Sequence, residues 1–424
     1  MNNYDIIVIG AGISGATFAH KVSKFANTLL IEAKDEKSKK ESPLTNIYPE
    51  HNRSFLDDVD YNDKTLFPCV HYKINYKSHK YDGIVDSMEF GAPFGYISYT
   101  EKLCDQLIQN CEINNGTVIF NEKISRISRT KDKIEVISNK GTTYTGKLLA
   151  IATGSYGFDL QKSVGFEVPD RYKGIFTHLY AGDEDKLENL SDFNYLFHIN
   201  NKISDKGPFF INKGKERISI GFLGKSDESY GEIASKLKRI LNNYKPIQPY
   251  IAGLKKDQVK PVIGEISKHP INNFSQNRTI ILGEAAGLVT SFFYEGLLGG
   301  IVSADIASKV IEPLLTQNSN FSKSELEKYD QEIRKTLLDT YYKNGAASEY
   351  LFYNSGSAMK IIWETYTKFI TENETIRRYV WEAIRSIKGY DVKRDRWLGE
   401  QIFKNLPLVS KITLGPTFLR ALFK

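Results

Sequence analysis

At 424 residues, with 41% hydrophobic and 12% aromatic side chains, the chain can bury a large core and is expected to divide into more than one unit. Its net charge of +6 comes from lysines dispersed among acids, without a basic stripe or an aromatic-interleaved motif. This argues against nucleic acid as a partner and suits an anionic membrane surface or a phosphorylated lipid. Three cysteines, Cys69, Cys104 and Cys111, form no C-x-x-C pair and no ligand spacing with the seven histidines, so neither a disulfide framework nor a metal site is expected.

The first informative element is an apolar run, Tyr4-Asp5-Ile6-Ile7-Val8-Ile9, leading into Gly10-Ala11-Gly12-Ile13-Ser14-Gly15 and a helix-like stretch. A second apolar run, Thr28-Leu29-Leu30-Ile31, closes on Glu32. A lone G-x-G-x-x-G is weak evidence; here a buried strand precedes it, a helix follows it and an acid stands about twenty residues on. A Cβ at Gly10 or Gly12 would keep backbone amides from a pyrophosphate, and the helix opening near Ser14 turns its positive end toward the phosphates. Glu32 is placed to bind ribose hydroxyls. This block does not by itself separate NAD from FAD. The apolar stretch from Ile6 to Ala19 is too short and too glycine-punctuated to span a membrane. With Asp5 at its head it does not read as a secretory signal either, and a cytoplasmic location is expected.

Further along, Cys69 to Tyr76 alternates like one strand, and Gly95-Tyr96-Ile97 precedes a helical segment over Lys102 to Ile108. Thr117 to Phe120, Ile124 to Ile127 and Lys133 to Ile137 also alternate, and Leu148-Leu149-Ala150-Ile151 ends on Ala152-Thr153-Gly154. Tyr195 to Ile199, Pro208 to Asn212 and Arg217 to Phe222 are expected strands of a separate sheet. His178 and His198 flank that region as possible proton donors, although a structural or surface role is the commoner one for a histidine without a visible partner.

A second glycine block then follows a buried strand: Thr279-Ile280-Ile281-Leu282, Gly283-Glu284-Ala285-Ala286-Gly287-Leu288-Val289 and, a few residues on, Glu295-Gly296-Leu297. It resembles the second FAD motif of the para-hydroxybenzoate hydroxylase-like flavoproteins. More closely, it resembles the geranylgeranyl reductase family, whose pattern runs G-D-A-A-G-x-V-x-P-x-T-G-E-G-I. Gly95-Tyr96-Ile97 and the Ala152-Thr153-Gly154 strand end are similar to segments of that family as well, so the likeness reaches to about residue 315. It implies FAD as cofactor, Glu284 on the ribityl chain, and amides near Gly296 facing the isoalloxazine. Candidate cofactor-binding residues are Gly10, Gly12, Ser14, Gly15, Glu32, Ala33, Ile124, Thr153, Gly154, Gly283, Glu284, Gly287, Glu295, Gly296 and Leu297.

The expected fold is α/β: a Rossmann-type FAD-binding domain (1–62, 101–157 and 272–315), an inserted antiparallel-sheet substrate domain (63–100 and 158–271), and a helical C-terminal region (316–424). In the last, Leu326, Tyr329, Ile333, Leu337 and Tyr341 share one helical face. The tail from Asn405 mixes apolar residues with Lys411, Arg420 and Lys424, as an interfacial helix or one docked on the body would, and Pro407 and Pro416 are expected to break it into short pieces.

By resemblance, the activity is hydrogenation of isolated double bonds in a prenyl chain or isoprenoid lipid. No second dinucleotide fingerprint is present, so an external electron donor, ferredoxin or a transiently bound nicotinamide, is implied, with possible peripheral contact at the membrane. Departures from the family pattern bear on catalysis. No cysteine occurs between Lys34 and Tyr48, where the family carries a cysteine-glycine pair, and Ser291, Phe293 and Tyr294 replace proline, threonine and glycine. Tyr294 is therefore the candidate catalytic side chain, as proton donor, cation-facing wall or packing residue. Alternative readings are an aromatic monooxygenase, a halogenase (without the tryptophan halogenases' W-x-W-x-I-P pattern), a lycopene-cyclase-like enzyme, or a non-catalytic flavin binder.

Overall fold

The computed structural model describes all residues except 1, 37–41, 48–54, 57, 182–186, 188–191, 226, 257–258, 341, 344, 386–391, 422 and 424. Tyr341, Lys424 and most of the charged loop after Lys34 thus lie outside the described residues.

The chain opens with β1 (Asn2–Ile9), α1 (Ile13–Val22) and β2 (Thr28–Ile31), followed by β3 (Thr45–Ile47), β4 (Cys69–His71), β5 (Lys73–Lys77), β6 (Asp82–Asp86) and β7 (Gly95–Ser98). Helix α2 (Thr100–Ile113) leads to β8 (Thr117–Ile119), β9 (Ile124–Arg129), β10 (Ile134–Ser138), β11 (Thr143–Ile151) and α3 (Phe158–Ser163). Strands β12 (Arg171–Tyr180), β13 (Tyr195–His198), β14 (Phe209–Lys213) and β15 (Arg217–Leu223) precede α4 (Tyr230–Asn243), β16 (Val262–Ser267), β17 (Ser275–Gln276) and β18 (Thr279–Ile281). Helices α5 (Leu297–Thr316), α6 (Lys323–Ile333), α7 (Gly345–Phe352), α8 (Ala358–Glu372), α9 (Glu374–Arg385), α10 (Val392–Asn405) and α11 (Leu408–Ala421) complete it.

Strands β18, β11, β1, β2 and β8 lie side by side and parallel, so both faces of the central strands are covered and their sequences are apolar throughout. Ile6, Ile7, Val8, Leu149 and Ala150 are completely buried, each large aliphatic side chain contributing about 1.5–3 kcal/mol. Strand β11 is long enough to serve two partners: its first half pairs antiparallel with β10, its second half parallel with β18. Helix α1 packs between α2 and α5 over this sheet.

The separate sheet has seven strands in the order β16-β12-β15-β14-β13-β5-β6. All its pairs are antiparallel except β13 with β5, which run parallel because β5 enters from the earlier segment. One face is covered by α4, which starts at a Ser229/Glu232 capping box and buries Ile233, Leu237, Ile240 and Leu241. Its edge at β6 abuts α8, where a Cβ at Gly83 would stand 2.8 Å from Ile370, so only glycine allows that approach.

The expected single strand over Cys69 to Tyr76 is in fact two. Strand β4 joins a three-stranded sheet with β7 and β3, whereas β5 joins the seven-stranded one. The break falls at Tyr72, where the Asn194 side chain accepts from the amides of both Tyr72 and Lys73 and holds the chain between sheets. Alternation in sequence cannot report such a change of partner. A second difference concerns the tail: α11 runs through Pro416 as one helix, held by Leu414 and Ala421, which are buried, and by Phe418 against Phe403. The expected face of Leu326, Tyr329, Ile333 and Leu337 is wholly buried.

Candidate functional site

A cavity of about 700 Å³ lies between the parallel sheet and the open face of the seven-stranded one. At one end β1 delivers Gly10 to Ser14, with Gly10 N–H donating to Ile31 O at 2.8 Å. The glycines here do two different jobs. A Cβ at Gly10 would meet Ala152 O at 2.4 Å, so Gly10 answers to the neighbouring strand end; at Gly12 it would meet nothing within 4 Å and would project into open space. Helix α1 has no side-chain cap, because its N-cap residue is Gly12, and its first amides are left for an anion. Glu32 accepts from the amides of Ala11 at 2.7 Å and Lys34 at 2.9 Å, which fixes its carboxylate beside the turn. Ala33, Ile124, Thr153 and Gly154 line the same end, and Thr153 Oγ1 is buried without a hydrogen-bond partner. An uncapped helix start, an open glycine and an unsatisfied hydroxyl on one wall fit the ADP half of FAD.

Glu284, Tyr294, Glu295, Gly296 and Leu297 also line the cavity. Gly15, Gly283 and Gly287 stand behind the wall instead. A Cβ at Gly15 would meet Gly10 O at 1.8 Å, and one at Gly283 would meet Ser14 Oγ at 1.9 Å, so the two glycine blocks touch one another there. Gly283 and Gly287 have φ of +57° and +74°, the left-handed region that favours glycine. Glu284 accepts from Ser267 N–H at 3.2 Å, which ties the second block to β16.

The turn before α5 carries two adjacent ionisable side chains, Tyr294 and Glu295. Glu295 accepts from the Leu297 amide at the helix start, while burial, the larger effect, pushes its carboxyl up to about 7. Tyr294 is in the left-handed region at φ +54°, is 7% exposed, and packs edge-on to Tyr172 at 5.6 Å between ring centres. Burial, and then the Glu349 carboxylate, push its hydroxyl well above the usual tyrosine range. Tyr172 in turn donates to Glu349 at 2.6 Å.

His178 and His198 are absent from the lining. His178 bonds Ser219 Oγ at 3.0 Å; His198 is fixed between Lys77 O and the Tyr244 hydroxyl, so both serve structure. Cys104 lines the cavity and Cys111 is buried on the same helix, its thiol pushed up to about 11 by burial. Among the described residues no group of three or more histidine, cysteine or acidic side chains is placed to hold a metal ion.

Sequence reasoning missed the far wall: Leu44 and Asn46 before and in β3, His71 in β4, and Ile74, Phe176, Tyr195, Phe197, Phe210 and Asn212 of the seven-stranded sheet. No motif marks them, because they converge from strands far apart in sequence. Most of this wall is aromatic or aliphatic.

A dinucleotide-type strand-turn-helix and a second glycine turn, meeting on one deep apolar cavity beneath a separate sheet, define the class: an FAD-dependent oxidoreductase. No protein-family profile matches the chain. It is 23% identical to digeranylgeranylglycerophospholipid reductase 1 of Methanosphaera stadtmanae over 79% of this chain and 82% of that one. It superposes on the crystal structure of a geranylgeranyl bacteriochlorophyll reductase-like protein from Thermoplasma acidophilum with a TM-score of 0.68 and 17% identity, covering 98% of this chain and 100% of that one. A variant of the halogenase PltM in complex with FAD shares the fold at a TM-score of 0.67 and 15% identity, over 99% and 96% of the two chains. In sequence and in fold the chain is thus similar to the geranylgeranyl reductases among the FAD-dependent oxidoreductases.

Proposed function

We propose that this protein is an FAD-dependent reductase that hydrogenates isolated double bonds in the prenyl chains of an isoprenoid lipid. The observation that carries the reading is the cavity: an aromatic and aliphatic wall faces the second glycine block, as an unactivated alkene bound only by apolar contact needs. In this reading residues 1–62, 101–157 and 272–315 hold the cofactor, and 63–100 with 158–271 enclose the substrate. Gly12, Ser14 and the start of α1 take the pyrophosphate, Glu32 with Ala33 the ADP ribose, Ile124 and Thr153-Gly154 flank that half, and Glu284 takes the ribityl chain. Gly10, Gly15, Gly283 and Gly287 shape the turns that bring these groups together, and Gly296 with Leu297 borders the flavin ring. Reduced FAD supplies the hydride when bound.

The chain's own residues then have to supply a proton and keep water out. Glu295, held near pH 7 by burial, remains partly protonated under neutral conditions and is a far stronger acid than Tyr294, so it is the proton source at its carboxyl oxygen. Tyr294 is the aromatic wall beside it, a face that favours positive charge developing on carbon. Electrons come from a separate donor, ferredoxin or a nicotinamide.

Among the described residues no helix is long and apolar enough to cross a membrane. Helix α11 nonetheless presents Leu408, Val409, Ile412 and Leu419 to solvent, each at least 59% exposed, with Lys404 and Arg420 exposed nearby. That combination suits reversible contact with an anionic bilayer, from which an insoluble prenyl lipid would be drawn.

The test is anaerobic. Photoreduced holoenzyme mixed with a prenyl-chain lipid should reoxidise its flavin while the lipid gains two hydrogens per double bond. Flavin that ignores the lipid but reacts with oxygen to hydroxylate or halogenate an aromatic compound would replace this reading with a monooxygenase or halogenase.

A further inference from the structure

On the far wall of the cavity a largely apolar surface carries two amides, beside His71 with its unpartnered Nε2, that are not fully used. Asn46 is 3% exposed and Asn212 is 8% exposed; both line the cavity. The Asn46 carbonyl oxygen is committed to His71 Nδ1 at 2.8 Å, and its amide nitrogen has no hydrogen-bond partner. Asn212 is committed the other way round: its nitrogen donates to Leu44 O at 2.7 Å, and its Oδ1 has no partner. One buried donor and one buried acceptor are thus presented by side chains anchored two residues apart on the segment Leu44 to Asn46.

The anchoring is rigid. Leu44 N–H donates to Ser219 Oγ at 2.8 Å, and Leu44 O also accepts from the Tyr195 hydroxyl at 3.4 Å. Tyr195 stands opposite Asn212 in the β13–β14 register and packs on the His71 ring at 4.5 Å. A buried amide group left without a partner is costly, and a native fold leaves one open mainly where something else completes it.

We propose that Asn46 and Asn212 form a polar subsite for an uncharged hydroxyl of the substrate, Asn46 donating to its oxygen and Asn212 accepting its proton. Charge decides the ligand class. His71 is completely buried, and burial pushes it down to about 3, leaving the ring neutral. The lysines in the lining, Lys34 and Lys123, lie at the ADP end, Lys34 donating its amide to Glu32 and Lys123 preceding Ile124. A phosphate seated between the two amides would be desolvated without a counter-charge, which a neutral hydroxyl avoids.

The inference rests on the prenyl-chain reading for the rest of the ligand, and its test needs no turnover. Oxidised holoenzyme is titrated in detergent with a C20 prenyl alcohol and with the hydrocarbon of the same chain lacking the oxygen, followed by the flavin difference spectrum. The alcohol should bind at least about tenfold more tightly, since a site built for a hydroxyl rejects the analogue that leaves its polar groups unpaired. Asn46→Leu and Asn212→Leu should each bring the two affinities together. Should a leucine variant fail to fold, the serine variant is read in its place, and the wild-type ratio stands as an independent measurement.

Equal binding of alcohol and hydrocarbon by the wild type would overturn the subsite. So would an unchanged ratio in both variants, or variants that shift the flavin spectrum or FAD affinity before any ligand is added, because the amides would then serve the cofactor. Selective binding of an alcohol that is never reduced would count against the reductase reading and leave the subsite standing.

Discussion

At the residue scale, Tyr294 and Glu295 are neighbours whose environments drive their acidities to different places. Tyr294 is buried and Glu295 half-buried, and desolvation brings the carboxyl to rest near pH 7 while it lifts the phenol further above the physiological range. The consequence is testable in rates. Glu295→Gln should retain FAD and lose on the order of 10²- to 10⁴-fold in reduction rate, the usual range for a positioned acid. In the unaltered enzyme the rate should fall as pH rises through about 7, since only the protonated carboxyl donates. Tyr294→Phe removes only the hydroxyl and should change the rate little, whereas Tyr294→Gly relieves the left-handed backbone but removes the wall and should slow the reaction. Single-turnover flavin reoxidation measures all three; a Glu295→Gln enzyme with an undiminished rate would return the proton to water or another group.

At the scale of elements, α11 combines docking with exposure. Leu414 and Ala421 hold it to the body, and the opposite face of Leu408, Val409, Ile412 and Leu419 is left to solvent. A docked helix that hid its apolar face would have nothing to offer a bilayer. Replacing Leu408, Val409 and Ile412 together by serine should weaken binding to anionic liposomes at least about tenfold, from the apolar area lost at roughly 25 cal/mol per Å², without releasing FAD. Binding by the unaltered protein should fall with added salt, because attraction to the surface is screened over about 8 Å at physiological ionic strength. Co-sedimentation with vesicles decides it, and equal sedimentation of wild type and variant would assign the exposed face to some other contact.

At the scale of the whole molecule, the seven-stranded sheet and the segments packed on it bury neutral histidines. Burial holds His71 down to about 3 and His178 down to about 4, the latter helped by Arg217. Unfolding restores an ordinary pKa of about 6.5, so the unfolded chain binds protons that the folded one refuses. Their contribution is complete above about pH 6.5 and is lost as pH falls toward the folded values, roughly 2 kcal/mol for each at pH 5. The protein should therefore be acid-labile, and His71→Gln should lose less stability between pH 7 and pH 5 than the wild type in urea unfolding. A wild type equally stable at both pH values would contradict the neutral burial of these rings.

Local order in the chain was enough to reveal the first strand-turn-helix, Glu32, the second glycine block and the buried face of α6, because each is a contiguous pattern whose physics is local: period, glycine placement and an acid at fixed distance. The strand change at Tyr72, the helix through Pro416 and the separate roles of Gly10 and Gly12 depend on which residues arrive from elsewhere: Asn194, the packing around Leu414, and Ala152. The far wall of the cavity is the extreme case. Leu44, Asn46, His71 and Asn212 come from three sheet segments, and the contact between Leu44 and Asn212 closes 168 residues of chain. No one-dimensional period encodes that meeting; only the packing of separate sheets brings an unpartnered donor and an unpartnered acceptor to the lining of one cavity.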